Sequence, residues 1–115
     1  MRLVTFDAGS GPRAGVQTDS GILDAMDLLG ENGHGGVRRL IAGDRLGDLK
    51  AAVEAGNGEP IDASTVRILP PVPDPDKIIC IGLNYRAHAK ETGQDLPRAP
   101  IIFGKYRNAL AADGD

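Results

Sequence analysis

Asp76-Lys-Ile-Ile-Cys-Ile-Gly-Leu-Asn-Tyr-Arg-Ala-His-Ala-Lys-Glu91 is one continuous run that changes character part-way. Lys77 to Ile81 is apolar and β-branched, which predicts a strand buried on both faces. Gly82-Leu83 turns the chain. Asn84 offers a side-chain cap for a helix over residues 85–92, and Gly93 is placed to end it. Within that helix His88 and Glu91 are three residues apart and so share a face. A carboxylate beside an imidazole is the minimal arrangement for an oriented general base. The same spacing also describes a solvated helix face with a local contact of about 0.2–0.5 kcal/mol. So short a helix is not stable on propensity alone; it must pack on something or move, and a mobile helix that carries a base suits a lid.

Downstream, residues 94–100 form a loop with two prolines. Ile101-Ile102-Phe103 reads as a second strand, which Gly104 to Arg107 continues or leaves, and Ala111 to Asp115 carries no structural signal. Lys105, just past the apolar strand, either reaches solvent or presents an ammonium to a substrate carboxylate or enolate oxygen. Neither strand has a further hydrophobic partner in the sequence, so this second unit reads as unfinished.

Upstream, Pro70-Pro71-Val72-Pro73-Asp74-Pro75 holds four prolines in six positions. Such a stretch is extended and stiff, and the domain boundary is placed here: a small N-terminal domain over 1–69, a linker over 70–76, and the second unit over 77–115. In the first domain, residues 2–6, 13–18 and the start at Ile22-Leu23 read as a strand meander. The turn clusters Asp7 to Pro12 and Asp19-Ser20-Gly21 separate them. Residues 30–36 are too glycine-rich for regular structure. Val37 to Ala42 reads as a short helix stopped by Gly43. Asp44 is read as the N-cap of a helix over 45–55, with Leu46, Leu49 and Val53 on one side and Gly56 as its stop. Val66 to Leu69 reads as a strand leaving this unit.

Composition excludes several classes. The chain has 115 residues, 41% hydrophobic and 25% charged, and only 3% aromatic, so its core is built from aliphatic side chains. A net charge of −3 argues against nucleic acid as a partner. No apolar stretch approaches the ~20 residues that span a bilayer, and no membrane partner is expected. The single Cys80 reads as a small buried hydrophobe. With no signal-peptide pattern at the N-terminus, a soluble cytoplasmic protein is expected. Gly9, Gly11 and Gly15 lack the spacing and the following helix of a phosphate-binding loop. His34, between glycines, reads as an exposed loop residue. No Cys/His spacing suits a metal, and the carboxylates after the linker form no divalent-cation cage.

Three strings together, Val66-Arg-Ile-Leu-Pro-Pro-Val-Pro73, Lys77 to Glu91 with its Gly-x-Asn-Tyr-x-x-His core, and Pro100-Ile-Ile-Phe-Gly-Lys105, resemble the fumarylacetoacetate hydrolase family. The opening Met1 to Phe6 is similar to the small N-terminal domain of bacterial members. The resemblance implies an α+β protein: a small N-terminal α/β domain, then the start of a mixed β-roll catalytic domain. It implies an enzyme acting on 2-oxo or diketo acids. The reactions are C–C hydrolysis of acylpyruvate-like substrates, decarboxylation of oxaloacetate-type compounds, or isomerisation of unsaturated dioic acids such as 2-hydroxyhepta-2,4-diene-1,7-dioate in aromatic catabolism. By resemblance His88 and Glu91 form the catalytic dyad, with Glu91 orienting the imidazole, and Lys105 lies near the substrate's polar head. The cofactor implied is Mg²⁺, or Mn²⁺ or Ca²⁺, whose ligands follow residue 115 in the family; none is assigned in this chain. A homodimer is expected of the full-length form. The chain departs from the family at Tyr106-Arg107-Asn108, where many members carry Pro and Ser or Thr, and it is shorter than they are. The isolated 115 residues are therefore expected to be inactive. Two other readings remain open: a non-catalytic truncated member or interaction module, and a small ligand-binding domain formed by the N-terminal unit alone.

Overall fold

The computed structural model describes all residues, Met1–Asp115, and divides into two compact units. One comprises Met1–Pro73 with Ala111–Asp115, the other Asp74–Leu110.

The first unit is built on strands β1 (Arg2–Asp7), β2 (Pro12–Thr18) and β3 (Gly21–Asp24), which form the expected antiparallel meander. The first turn is closed by Asp7, whose Oδ1 accepts from the backbone N–H groups of Gly9 and Gly11 at 2.7 and 2.9 Å. Both glycines have strongly positive φ, which a side chain would oppose. The fourth strand, β4 (Arg67–Leu69), does not leave the unit as expected. It pairs antiparallel with β1, giving the order β3-β2-β1-β4, with Phe6 opposite Ile68. The free edge of β1 supplies the backbone partners, and Ile68 packs with Val66 and Ile61 on the cluster of Val4, Phe6 and Ile22. Alternation along the strands splits the core in two. Leu3, Ala14, Val16 and Leu23 face a helical layer, whereas Val4, Phe6 and Ile22 face the 61–68 segment. At position 15 only glycine fits, because a Cβ there would lie 2.6 Å from Ile22 Cγ2 and 3.0 Å from Phe6 Cε1.

Three short helices cover the first face: α1 (Ala25–Leu28), α2 (Val37–Ala42) and α3 (Leu46–Glu54). They contribute Met26, Leu40 and Leu49 to its core. Helix α1, too short to show periodicity in the sequence, is capped by Asp24. Its Oδ1 accepts from the N–H groups of Met26 (2.8 Å) and Asp27 (3.3 Å), and its other oxygen pairs with Arg13. Asp44 is not the N-cap of α3. It adopts φ +52° and closes α2, its N–H donating to Ile41 O at 3.2 Å while Arg45 N–H donates to Leu40 O at 3.0 Å. That is the Schellman ending, and the two overlapping bonds outcompete the single bond a cap would make. Helix α3 instead follows Arg45, which makes no side-chain cap bond.

The fully buried Thr5 ties the chain exit to this unit. Its hydroxyl donates to Pro71 O at 2.6 Å and accepts from Val37 N–H at 3.0 Å. The terminal Asp115 accepts from Arg67 and, at 2.8 Å, from Ala112 N–H.

The second unit holds β5 (Ile78–Gly82), α4 (Arg86–Glu91) and β6 (Ile101–Lys105). β5 and β6 pair antiparallel, with Gly82 opposite Ile101 and Ile78 opposite Lys105. The expectation of a strand buried on both faces fails here, because β5 has one neighbour and one covered face. Ile79 is 68% and Ile102 67% exposed, and Cys80 is half-buried rather than buried. Ala89 is the sole fully buried side chain of the unit.

Candidate functional site

The site is built where β5 gives way to α4. Gly82 ends the strand, and Leu83 turns the chain in the left-handed region at φ +47°. A branched residue there is strained by about 1–3 kcal/mol, a cost that tends to persist at functional sites. This turn takes up one more residue than the sequence suggests. The residue before the helix is Tyr85, not Asn84, and it makes no side-chain cap bond. Ala89 is the one buried residue of α4. The far end is fixed more firmly: Thr92 Oγ1 donates to His88 O at 2.9 Å, Gly93 takes φ +65°, and Gln94 N–H donates to Ala89 O at 2.9 Å.

This frame aims the His88 side chain over a concavity of about 440 Å³. Ile81, Ile101 and Phe103 form its apolar wall, and Asn84, Tyr85 and Gln94 its polar rim. The arrangement supports proton transfer: an imidazole at the edge of an apolar depression, with amide and phenol groups that can hold the polar end of a small ligand. His88 itself is solvent-exposed.

The other two expected residues are placed differently. Glu91 lies one turn after His88 on α4, but no hydrogen bond or ion pair joins the two side chains, and Glu91 does not line the concavity. Lys105 shares its face of β6 with Ile101 and Phe103. It stands one alternate position beyond Phe103, ~7 Å further along the strand, outside the lining. Asn84, Tyr85 and Gln94 join the site although the sequence reading gave them no role there. Their signal lay in their flanking of the turn and of the helix end. His34 is exposed in its glycine loop, as expected.

No three His, Cys, Asp or Glu side chains converge to hold a metal ion. The residues present therefore do not fit a resident divalent cation, and no step is routed through one. No helix is long and apolar enough to cross a membrane.

No family model matches the chain. Individual relatives do, along its entire length. Oxaloacetate tautomerase FAHD2A of Bos taurus is 31% identical over 119 residues, covering all of this chain and 38% of the relative. Human FAHD2A, also an oxaloacetate tautomerase, is 32% identical over 121 residues with the same coverage. The fumarylacetoacetate hydrolase domain-containing protein 2 homolog of Dictyostelium discoideum is 31% identical and covered to 39%. A crystal structure provisionally described as an HpcE protein from Mycobacterium smegmatis superposes with a TM-score of 0.65 at 27% identity, over 93% of this chain and 36% of that one. Proteins with a fumarylacetoacetate hydrolase domain thus match this chain along its whole length, consistent with the N-terminal portion of a protein of that family, and those relatives include enzymes. It spans about two fifths of the length of the curated relatives it matches.

Proposed function

We propose that this chain supplies the acid–base part of an enzyme site for 2-oxo or diketo acids, with His88 as the base. The position of His88 over an apolar depression with a polar rim carries the reading. In the simplest reaction, keto–enol tautomerisation, the neutral imidazole takes a proton from the carbon next to the ketone. The electron pair shifts to the carbonyl oxygen, and that oxygen receives the proton back. No other reactant is consumed. Similarity to oxaloacetate tautomerases supports this chemistry. Acylpyruvate C–C hydrolysis and dioic-acid isomerisation begin with the same base, which in hydrolysis activates water.

In this proposal Glu91 joins His88 when the site closes, a change of side-chain torsion within one helical turn. Lys105 approaches the substrate's polar head in the same step. The cofactor that the family resemblance implies is Mg²⁺, Mn²⁺ or Ca²⁺, and no residue of 1–115 is proposed to hold it. The cytoplasm as compartment and a homodimer as assembly complete the proposal.

Product analysis tests it. The native protein, isolated from its source, is incubated with oxaloacetate, an acylpyruvate and an unsaturated dioic acid, each with and without Mg²⁺. Turnover of at least one supports the reading, and turnover of none overturns it. The second reading, an interaction module, is favoured by the bare isoleucine face of β5 and β6. It predicts no turnover together with self-association.

A further inference from the structure

We propose that Leu83 is a specificity-determining residue: it divides two adjoining depressions and so limits the length of the apolar tail that a ligand of the His88 site can carry. This rests on the preceding reading for the location of the site, but not for its chemistry. The backbone of Leu83 lies in the left-handed region at φ +47°. Glycine and asparagine take that conformation at little cost, whereas a bulky side chain opposes it. A glycine stands next to it, yet Gly82 is not the left-handed residue of the turn. Gly82 is small for another reason, since a Cβ there would lie 3.3 Å from Ile101 Cγ2. The turn therefore keeps a leucine where a less strained residue would make the same bend. An outlier of this kind points to a use for the side chain.

Core packing does not supply that use. Leu83 belongs to neither hydrophobic core cluster and is only half-buried. It borders two depressions instead. One is the concavity of about 440 Å³ that His88 overlooks. The other, of about 270 Å³, lies between the turn and Pro97-Arg98-Ala99-Pro100. Ile81, Gly82, Leu83 and Asn84 border both, so the depressions adjoin across the turn. Of these four, Ile81 is fixed in the strand ladder opposite Ile102, and Gly82 has no side chain. Leu83 is thus the apolar side chain that the turn itself places at the boundary. The lining of the His88 concavity holds no Lys, Arg, Asp or Glu, and its wall of Ile81, Ile101 and Phe103 suits an uncharged hydrocarbon tail. A tail that outgrows the concavity is kept from the second depression by Leu83 and left in water, where its added methylenes contribute nothing to binding.

The test is titration of the ¹⁵N-labelled full chain, followed by NMR, with 2-oxobutanoate and 2-oxooctanoate, which differ only in tail length. The unaltered chain is expected to bind the two equally, with shifts at the Leu83 and Gln94 amides and none at Arg98 and Ala99. Leu83→Gly joins the two depressions. The longer acid should then gain about tenfold in affinity over the shorter one, and the Arg98 and Ala99 amides should shift. Leu83→Asn takes the left-handed φ with less strain but keeps a side chain of similar size and branching. It should slow hydrogen exchange at the Ala89 amide, which donates to Tyr85 O, by about fivefold as strain is relieved, without the gain for the longer acid. An equal gain for both acids in Leu83→Gly, or the same gain in Leu83→Asn, would overturn the assignment. So would binding of neither acid, or shifts at Ile79 and Ile102 on the bare strand face in place of Arg98 and Ala99. Length selection set by Leu83 in a protein without turnover would uphold the assignment and sink the catalytic reading. Turnover with a length preference that Leu83→Gly leaves untouched would do the reverse.

Discussion

Replacing Thr5 with valine keeps the side chain's shape and removes its hydroxyl. That hydroxyl joins two segments remote in sequence, donating to Pro71 O and accepting from Val37 N–H. Val37 opens α2, whose preceding residue, Gly36, has no side chain to cap it. Without Thr5 a buried N–H loses its acceptor, which costs about 1–3 kcal/mol. Pro71 is exposed, so its carbonyl can turn to water, and that loss adds only about 0.5–1 kcal/mol. The expected destabilisation is therefore about 1.5–4 kcal/mol. At about 4–8 °C per kcal/mol for a unit of this size, the melting temperature should fall by about 6–32 °C. Thr5→Ser keeps both bonds and gives up one methyl, a loss of about 0.8 kcal/mol. The assay is urea and thermal unfolding by circular dichroism, with hydrogen exchange at the Val37 amide as the local readout. A Thr5→Val protein within about 0.5 kcal/mol of wild type, or one no worse than Thr5→Ser, would refute the idea that this hydroxyl caps α2 and anchors the linker.

Three further outcomes are expected. Asp44→Gly should stabilise the first unit by about 0.5 kcal/mol, because glycine takes the φ of +52° without the penalty that aspartate bears; a lower urea midpoint would contradict this. The N–H groups of Gly11 and Gly9 hold the Asp7 carboxyl below its ordinary value. Its contribution to stability is thus fully present above the unfolded pKa of about 3.9 and is lost as the pH falls through the lower folded value. Asp7→Asn should flatten the acid limb of stability against pH, and an unchanged limb would remove Asp7 as a cause. Glu91→Gln should lower turnover less than His88→Ala does, since the proposal has Glu91 act only through the imidazole; equal losses in kcat would place Glu91 in the chemistry itself.

The meander was legible because its strands alternate and its turns carry Asp and Gly at the required places. Helix α2 was legible from Val37 to its glycine stop. Other features were decided by tertiary contacts. β4 is three residues long and offers no pattern; only the free edge of β1 and the pocket around Phe6 explain why it returns. Asp44 stands between two helices, where its chemistry suits the end of one or the start of the next, and two backbone bonds to α2 settle the choice. Thr5 meets its partners 32 and 66 residues away, beyond any local reading. In the second unit the shared face of His88 and Glu91 followed from helical spacing. Their failure to touch depends on side-chain torsions that spacing does not fix. The pairing of Ile78 with Lys105 places that lysine beyond the depression, and register of this kind is set only when two strands meet.

His88 is proposed to move the proton. The direct measurement is the rate of oxaloacetate enol-to-keto conversion, followed by loss of the enol absorbance, for the native protein and its His88→Ala variant. Proton transfer by a positioned imidazole predicts a loss of about 10²–10⁴-fold on substitution, with the circular dichroism spectrum unchanged. Equal acceleration by the two proteins would contradict it.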